Sequence, residues 1–411
     1  MKKKIFLVLS FLILIIPPYG NLVVAGLGGE WVIEGEGFAV YDMAADENYL
    51  YLVGTDSSMD QWRIEKRFLS NGSLVSSFGS NGVVLTNHSA WGNASAYGIA
   101  IDGEFMYVVG FSMGYSDPWG KIEKRKLTDG SLIWASDGIR AVIYYDVAVD
   151  NNYLYLVGTR KSGGSYSYAL IEKRRLSDGG LIWSVEDQWT TGYQPVNVLS
   201  GVAIDNEYLY AVGVTGAGSF INKQYMLKRF LSTGAPDTNF KLNGHWAEGS
   251  GEYTDVIVDD FLYIIGYENL GSGDYRWVID KRDKVDGDYV LWSSNPWIYG
   301  RIISNPSSRY DVAQAFVKEG DDLYIVGYDC NTTQGDSQWR IEKRKLANGA
   351  LDSAFGEGGV ITVDPRPGQA ESPFAIVKKG NYIYVGGTPS WRVQSFLVSH
   401  LVYLPLIIKG Q

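Results

Sequence analysis

An internal repeat constrains the fold of this chain more than any other feature of its sequence. Seven times the chain carries an aromatic or apolar residue, an apolar residue, tyrosine, two small or apolar residues and glycine; the sixth copy is one residue shorter at its start. The copies lie at 49–54, 105–110, 153–158, 208–213, 261–266, 323–327 and 382–387. Their tyrosines are 48 to 61 residues apart. A repeat of this length is one supersecondary unit, which buries its apolar faces only by stacking on neighbours.

Each unit is predicted to contain four antiparallel strands. An apolar run precedes the repeated segment, and a strand with a second signature, such as Ile64-Glu65-Lys66-Arg67, follows it. A tight turn such as Asn71-Gly72 then leads to a closing strand. Asn-Gly and Asp-Gly favour a type I′ hairpin, in which both turn residues have positive φ. Because no helical periodicity occurs, the pattern predicts an all-β fold, a seven-bladed β-propeller of four-stranded antiparallel blades.

The two ends of the chain indicate how such a ring would close. The seventh unit has three predicted strands, near 374–377, 382–387 and 391–396, and then the repeat stops. Residues 31–34 resemble a fourth strand that stands before the first unit. We predict that this N-terminal strand closes the ring, because pairing it with the last blade leaves no open edge. A strand at 402–408 is the alternative, although Pro405 is awkward in a ladder.

The first residues have the pattern of an export signal. Lys2, Lys3 and Lys4 precede an apolar run of 12 residues at 5–16, and two prolines follow it. A membrane-spanning helix takes roughly 20 residues. We expect a signal peptide over 1–25, the propeller over 29–400 and a C-terminal tail over 401–411, in a secreted or cell-surface protein. An uncleaved membrane anchor is the alternative.

Charge and motif content restrict the partners. The formal net charge is −10, and it becomes −13 without the three N-terminal lysines. An acidic protein repels phosphate backbones, so we expect no nucleic-acid partner. Cys330 is the single cysteine, which excludes an intramolecular disulfide. The three histidines stand in no metal-ligand spacing, and no hydrolase or nucleotide motif occurs, so we expect no catalytic residue, metal or cofactor.

The repeated Glu-Lys-Arg triplet is interpreted as structural. On a strand, Glu65 and Arg67 point to one face and Lys66 to the other. We expect the acid and the arginine to pair while the lysine stem covers apolar surface. A catalytic site would not be repeated around a ring.

Four aspartates at the predicted start of innermost strands form a first candidate site. They are Asp42, Asp146, Asp255 and Asp311. We expect them near one mouth of the central channel, where converging carboxylates could bind a cation or a basic ligand. The alternative is that each accepts backbone N–H groups where a loop turns into a strand.

Aromatic residues in the loops between second and third strands form the second candidate site. They are Tyr115, Trp119, Tyr166, Tyr168 and Tyr275. These loops should open on the same face as that mouth, and exposed aromatic rings can stack on sugars or anchor peptides. The alternative is chance exposure in a chain with 29 tyrosines.

Two kinds of turn-and-strand segment resemble known repeat families. The segments 71–79 (NGSLVSSFG) and 348–356 (NGALDSAFG) are similar to the delta-60 type repeats of secreted prokaryotic propeller proteins. The segments 129–134 (DGSLIW) and 178–183 (DGGLIW) resemble the Trp-containing repeat of quinoprotein-like propellers. The resemblance covers nearly the whole mature chain and implies the fold. The cofactor and calcium ligands of the quinone-binding enzymes have no matching positions.

We therefore expect a non-enzymatic recognition module whose ligand is a glycan or an extracellular protein. A secreted carbohydrate-active hydrolase or lyase with carboxylates at the channel mouth is one alternative. A structural component of the cell envelope is another.

Overall fold

The computed structural model describes residues 14–15, 22–25, 30–87, 92–136, 140–162, 166–187, 195–217, 222–292, 300–330 and 336–398. The regular structure in these ranges is β-strand throughout, and none of them contains a helix. The predicted all-β class is therefore confirmed. The described segments accordingly contain no helix that is long and apolar enough to cross a membrane.

The strands follow one another along the chain as β1 (Leu14–Ile15), β2 (Leu22–Ala25), β3 (Trp31–Gly35), β4 (Gly37–Ala45), β5 (Tyr49–Asp56), β6 (Trp62–Phe68), β7 (Val83–Thr86), β8 (Ala94–Asp102), β9 (Phe105–Met113), β10 (Pro118–Lys126), β11 (Leu132–Ser136), β12 (Val142–Val149), β13 (Tyr153–Lys161), β14 (Ser167–Arg175), β15 (Leu181–Asp187), β16 (Pro195–Ile204), β17 (Tyr208–Ala217), β18 (Lys223–Phe230), β19 (His245–Glu248), β20 (Gly251–Val258), β21 (Leu262–Gly271), β22 (Asp274–Arg282), β23 (Arg301–Ser304), β24 (Val312–Glu319), β25 (Asp322–Asp329), β26 (Gln338–Lys345), β27 (Val360–Val363), β28 (Pro373–Lys379), β29 (Tyr382–Gly387) and β30 (Trp391–Leu397).

Within the described ranges, strands β3 to β30 form seven successive groups of four antiparallel strands, which we call units 1 to 7. Units 1 to 6 follow the chain as β4–β7, β8–β11, β12–β15, β16–β19, β20–β23 and β24–β27. Unit 7 combines β28, β29 and β30 with β3, whose Gly35 lies opposite Trp391. A parallel contact between Ser167 and Val196 joins units 3 and 4 into one continuous sheet.

The strand predicted at 31–34 thus exists as β3, beside the last strand of the repeat. The alternative strand at 402–408 and the tail at 401–411 lie outside the described residues. Of the segment predicted as a signal peptide, only β1 and β2 are described. Strand β2 pairs with β3, and β1 pairs with β2.

The core lies between the units rather than inside any one of them. Seven apolar clusters each draw residues from two neighbouring units. Along β5, for example, Tyr51 packs towards Met106 of unit 2, whereas Leu50 and Leu52 pack towards Trp391 of unit 7. Successive side chains of a strand point to opposite faces, and both faces of these sheets are covered. For this reason the repeated segment is apolar at nearly every position.

The Glu-Lys-Arg triplet has the predicted alternation. The Glu65 carboxylate is fully buried and accepts a hydrogen bond from Nε of Arg67 at 2.6 Å. On the other face, Nζ of Lys66 lies 4.0 Å from the ring centroid of Tyr49 and donates to the carbonyl oxygen of Leu127 in unit 2 at 2.7 Å. The lysine therefore links adjacent units, in addition to covering apolar surface.

The turn after the third strand differs from the type I′ prediction. Gly72 has a φ of +70°, but Asn71 is not among the residues with positive φ. The Gly72 N–H donates to the carbonyl oxygen of Phe68 at 2.8 Å, and Oδ1 of Asn71 accepts from the N–H of Ser73 at 2.9 Å. This longer turn needs positive φ only at glycine, and it uses the asparagine for its side-chain acceptor.

Candidate binding site at the channel mouth

The first strand of each unit contacts the first strand of the next unit, and β28 of unit 7 contacts β4 of unit 1. Apart from a further bulge at Phe38 of β4, each first strand shifts register against its second strand by one bulged residue, which directly follows the partner of the repeated glycine. The bulged residues are Tyr41, Tyr97, Tyr145, Ser200, Thr254, Gln314 and Phe374. A bulge leaves one residue out of the ladder and re-aims its side chain. All seven bulged residues line a central cavity of about 480 Å³.

The repeated glycine of the second strand is a consequence of this bulge. At Gly54, a Cβ atom would lie 2.0 Å from the carbonyl oxygen of Ala39, and at Gly110 it would lie 2.0 Å from that of Ser95. The first strand approaches so closely at the bulge that only a residue without Cβ fits opposite it. In each unit, the glycine of the sequence motif therefore lies level with the bulged residue that lines the cavity.

Four of the bulged residues form a continuous aromatic arc on one side of the cavity. The ring centroids of Phe374 and Tyr41 lie 5.4 Å apart, those of Tyr41 and Tyr97 4.9 Å apart, and those of Tyr97 and Tyr145 5.3 Å apart. Burial, followed by the proximity of Tyr97, raises the pKa of Tyr41 to about 12. The arc therefore carries hydroxyl groups that stay protonated and offers half-buried ring surfaces to the cavity.

The opposite side of the cavity is polar. The bulged residues there are Ser200, Thr254 and Gln314, and the Ser200 hydroxyl donates to the Glu252 carboxylate at 2.7 Å. Burial raises the pKa of Glu252, and the hydrogen bond from Ser200 opposes this shift. Beside them stand two stacked rings, Tyr267 and Tyr275, with centroids 4.9 Å apart and planes 10° apart. This side offers hydrogen-bonding groups against the aromatic arc.

Three of the four predicted aspartates follow a bulged residue and accept backbone N–H groups. The Asp42 carboxylate accepts from Met43 at 2.7 Å through Oδ1 and from Ile99 of unit 2 at 2.8 Å through Oδ2. Asp146 and Asp255 make the same two kinds of bond, to Val147 and Val202 and to Val256 and Phe316. The carboxylates therefore satisfy backbone donors, as in the alternative given for these residues. They do so from within β4, β12 and β20, however, and not at the start of these strands as predicted.

These aspartates stand in units 1, 3 and 5, and small residues replace them in the next units. At Gly201 of unit 4, a Cβ atom would lie 3.0 Å from the Cα of Asp255. Burial, followed by the charge of Asp146, raises the pKa of Asp42 to about 8, and burial raises that of Asp146 to about 6. No group of three or more His, Cys, Asp or Glu side chains among the described residues could hold a metal ion.

Asp311 does not belong to this ring, contrary to the prediction. It precedes β24, is fully buried, and accepts hydrogen bonds from the N–H and the hydroxyl of Ser307 at 2.9 and 2.6 Å. In unit 6 the bulge is at Gln314, and Ala315 occupies the position that Asp42 has in unit 1. The Tyr-Asp pair at 310–311 therefore lies in the loop before the strand and only resembles the pair at 41–42 in sequence.

Of the five predicted loop aromatics, only Tyr275 lines the cavity. Tyr115 is 85% exposed, and Trp119 on β10 is 38% exposed. Tyr166 and Tyr168, before and on β14, are half-buried. None of these four is among the residues that line the described cavity.

Sequence reasoning missed the aromatic arc itself. None of its four residues is among the predicted site residues: Tyr41 and Tyr145 only precede predicted aspartates, and Tyr97 and Phe374 have no acidic neighbour. A signal was available: six of the seven bulged residues lie 13 positions before the repeated glycine of their unit, and Thr254 lies 12 positions before Gly266.

Solved structures resemble the chain over most of its length. The extracellular domains 1–2 of semaphorin 1b from Drosophila match with a TM-score of 0.50 at 10% identity, over 89% of this chain and 86% of that one. The fold is a β-propeller. BamB from Moraxella catarrhalis (TM-score 0.45, 12% identity, 93% of this chain and 95% of that one) and Sqt1 from Chaetomium thermophilum (0.46, 9%, 89% and 98%) are also similar. At these identities the likeness concerns the fold alone. The sequence matches no protein-family model and no curated protein.

Proposed function

We propose that this β-propeller has seven blades, is closed by its N-terminal strand, and recognises a carbohydrate at its channel mouth without catalysis. In this proposal units 1 to 7 are the blades, and β3 is the fourth strand of blade 7. The arc of Phe374, Tyr41, Tyr97 and Tyr145 facing a polar wall is the observation that carries the function.

Ring closure is supported by a hydrogen bond that recurs between units. The indole N–H of Trp134 on the fourth strand of unit 2 donates to Leu176 of unit 3, at 3.2 Å. The indole N–H of Trp31 on β3 donates to Leu69 of unit 1, at 2.9 Å. In both cases the acceptor is the backbone carbonyl oxygen of the leucine that directly follows the third strand of the unit. Trp31 therefore acts towards unit 1 as a fourth-strand tryptophan acts towards the next unit.

The chemistry of the cavity wall favours a sugar ring. Aromatic faces offer flat apolar surface for the C–H side of a pyranose, and the amide of Gln314, the carboxylate of Glu252 and the hydroxyl of Thr254 can hydrogen-bond its hydroxyl groups. Ligand sites usually combine apolar walls with a few convergent polar groups in cavities of about 300–1,000 Å³. A cavity of about 480 Å³ lies in that range.

The carboxylates at the mouth favour recognition over hydrolysis. Glycoside hydrolysis generally uses two carboxyl groups that flank the scissile bond. Among the described residues that line the cavity, Glu252 is the one carboxylate. Asp42, Asp146 and Asp255 each already accept two backbone N–H groups.

The proposed location is outside the cell or on its surface. Its support is the sequence alone, namely three lysines followed by the apolar run at 5–16. Mass determination of the protein after expression in its host tests this: loss of about the first 25 residues is expected for export through a cleaved signal, and an intact Met1 in a soluble cellular fraction contradicts it.

A glycan array probed with the purified full chain tests the function. We expect selective binding, which Tyr97→Ala weakens by about tenfold because one ring-stacking contact is lost. Tyr115→Ala, which removes an aromatic ring outside the cavity, is the matched control and should bind like the wild type. Reducing-end release from the bound glycan would indicate a hydrolase instead. Equal losses in both variants, or binding only to protein ligands, would contradict carbohydrate recognition at the mouth.

A further inference from the structure

Six of the seven units place a lysine ammonium group on aromatic rings at the junction with the next unit. The lysine is the middle residue of the third-strand signature, and it lies opposite the repeated tyrosine of the second strand. The pairs are Lys66 with Tyr51, Lys124 with Tyr107, Lys173 with Tyr155, Lys228 with Tyr210, Lys281 with Tyr263 and Lys343 with Tyr324. In units 1 to 5 the Nζ atom lies 3.8 to 4.1 Å from the centroid of the first ring of the motif. A cation over a ring face at this distance is attracted by the ring quadrupole.

Unit 7 departs from this rule. The residue opposite its repeated tyrosine, Tyr384, is Ser395, whose hydroxyl accepts the backbone N–H of Trp31 at 2.8 Å. The aromatic pair itself is retained: the rings of Tyr382 and Tyr384 have centroids 6.3 Å apart and planes 39° apart. In unit 4 the corresponding rings, Tyr208 and Tyr210, are 6.4 Å and 51° apart, with Lys228 over them.

A cavity lies at the junction of units 7 and 1, where the serine replaces the lysine. Its volume is about 670 Å³, and its walls include Tyr382, Tyr384, Tyr49, Phe68 and Leu69. The corresponding junction of units 4 and 5, where Lys228 is present, has a cavity of about 300 Å³. The larger cavity is thus associated with the shorter side chain.

The polar groups of this cavity suit a primary ammonium ion. In units 2 and 3, the carbonyl oxygen of Leu176 accepts both a tryptophan indole N–H and the Nζ of Lys124. At the junction of units 7 and 1, the carbonyl oxygen of Leu69 in unit 1 accepts the Trp31 indole N–H and the Tyr384 hydroxyl, at 2.9 and 3.2 Å. An incoming ammonium can donate to the Tyr384 hydroxyl oxygen, or to that carbonyl in place of the Tyr384 hydroxyl. At the rim, Glu47 and Lys379 form an ion pair of 2.6 Å between the two units.

We propose that the cavity between units 7 and 1 binds a primary alkylammonium group, the chemistry of a lysine side chain. The proposal is independent of the sugar site, because the two cavities share no lining residue. The fold itself supplies the precedent, since the equivalent ring pair holds a covalently attached ammonium in units 1 to 4.

Ligand-observed NMR titration of the purified full chain tests this site. The probes are N-acetyl-lysine methylamide, n-butylammonium and the uncharged N-acetyl-norleucine methylamide. We expect saturable binding of the two amines and none of the norleucine compound. If only the lysine compound bound, the ligand would be a lysine side chain on a polypeptide. If n-butylammonium bound equally well, the cavity would accept any primary alkylammonium group. Equal binding of the norleucine compound, or no saturable binding of either amine, would overturn the proposal.

Two variants and one matched control localise the binding. Ser395→Lys restores the residue type of the other six units and should abolish amine binding while the circular dichroism spectrum stays native. Its unfolding temperature should fall slightly, because the Trp31 backbone N–H loses the Ser395 hydroxyl as acceptor. Tyr382→Leu removes one ring face and should weaken binding about fivefold. Tyr208→Leu, at a junction that already holds a lysine, should leave the affinity unchanged. Wild-type affinity in a Ser395→Lys protein with native circular dichroism would also overturn the proposal.

Discussion

Replacement of Trp31 by alanine tests whether β3 is the closing strand of the propeller. Trp31 is 1% exposed and belongs to the apolar cluster that joins unit 7 to unit 1. Its indole N–H donates to Leu69 of unit 1, whereas its backbone N–H donates to Ser395 of unit 7. The substitution therefore removes a core side chain and a hydrogen bond between units, and leaves the backbone ladder of β3 intact.

The expected destabilisation follows from the volume that is lost. Truncation of a buried tryptophan to alanine costs about 3–5 kcal/mol. Loss of the indole hydrogen bond adds little, because the Leu69 carbonyl oxygen keeps the Tyr384 hydroxyl as a donor at 3.2 Å. With an unfolding entropy of about 2.1 cal/mol/K per residue, a chain of 411 residues changes its Tm by about 1 °C per kcal/mol. We therefore expect a Tm about 4 °C below that of the wild type.

Thermal unfolding followed by near-ultraviolet circular dichroism measures this change. Trp62→Ala is the matched control, because Trp62 is fully buried at an internal junction and its indole N–H donates to Phe111 of the next unit at 2.9 Å. Both variants should lose a similar amount of stability. If Trp31→Ala kept the Tm of the wild type while Trp62→Ala lowered it, closure by β3 would be refuted.

Three further predictions concern the buried polar groups and the bulges. The free energy of unfolding should fall by about 5 kcal/mol as pH rises from 5 to 8, because the folded state, with the pKa of Asp42 at about 8 and of Asp146 at about 6, binds protons more tightly than the unfolded state in this window. Asp42→Asn should flatten this pH dependence in urea titrations, and an unchanged slope would contradict the assignment. Gly201→Ala should cost about 1–3 kcal/mol, since its Cβ would lie 3.0 Å from the backbone of Asp255; a neutral effect in urea unfolding would contradict that contact. Glu65→Leu should lower the free energy of unfolding by about 3–5 kcal/mol, because it leaves the buried guanidinium groups around it without their carboxylate. Asp178→Ala, which breaks an exposed ion pair, is the control. If Glu65→Leu cost less stability than Asp178→Ala, this role of Glu65 would be contradicted.

The sequence by itself determined the strand content and the repeat. The alternation within Glu65-Lys66-Arg67 and the two apolar faces of 49–54 follow from the two-residue period of a strand, which needs no knowledge of neighbouring units. That residues 31–34 form a strand was also predictable, because they resemble a fourth strand and the seventh unit has only three predicted strands of its own. The turn at Asn71-Gly72 was located correctly, but its type was wrong, because Asn-Gly suits more than one turn geometry.

Only the tertiary structure decided which side chains meet at the axis. The set of bulged residues depends on a register shift in each first strand. No neighbouring residue marks this shift at Tyr97 or Phe374, and only their distance to the repeated glycine relates them to the other units. Asp311 was misplaced because the loop before β24 repeats the Tyr-Asp dipeptide outside the ladder. Local sequence specifies the alternation of faces along a strand, but the register between strands, and with it the composition of the cavity, is set by close approach of backbones that are distant in the chain.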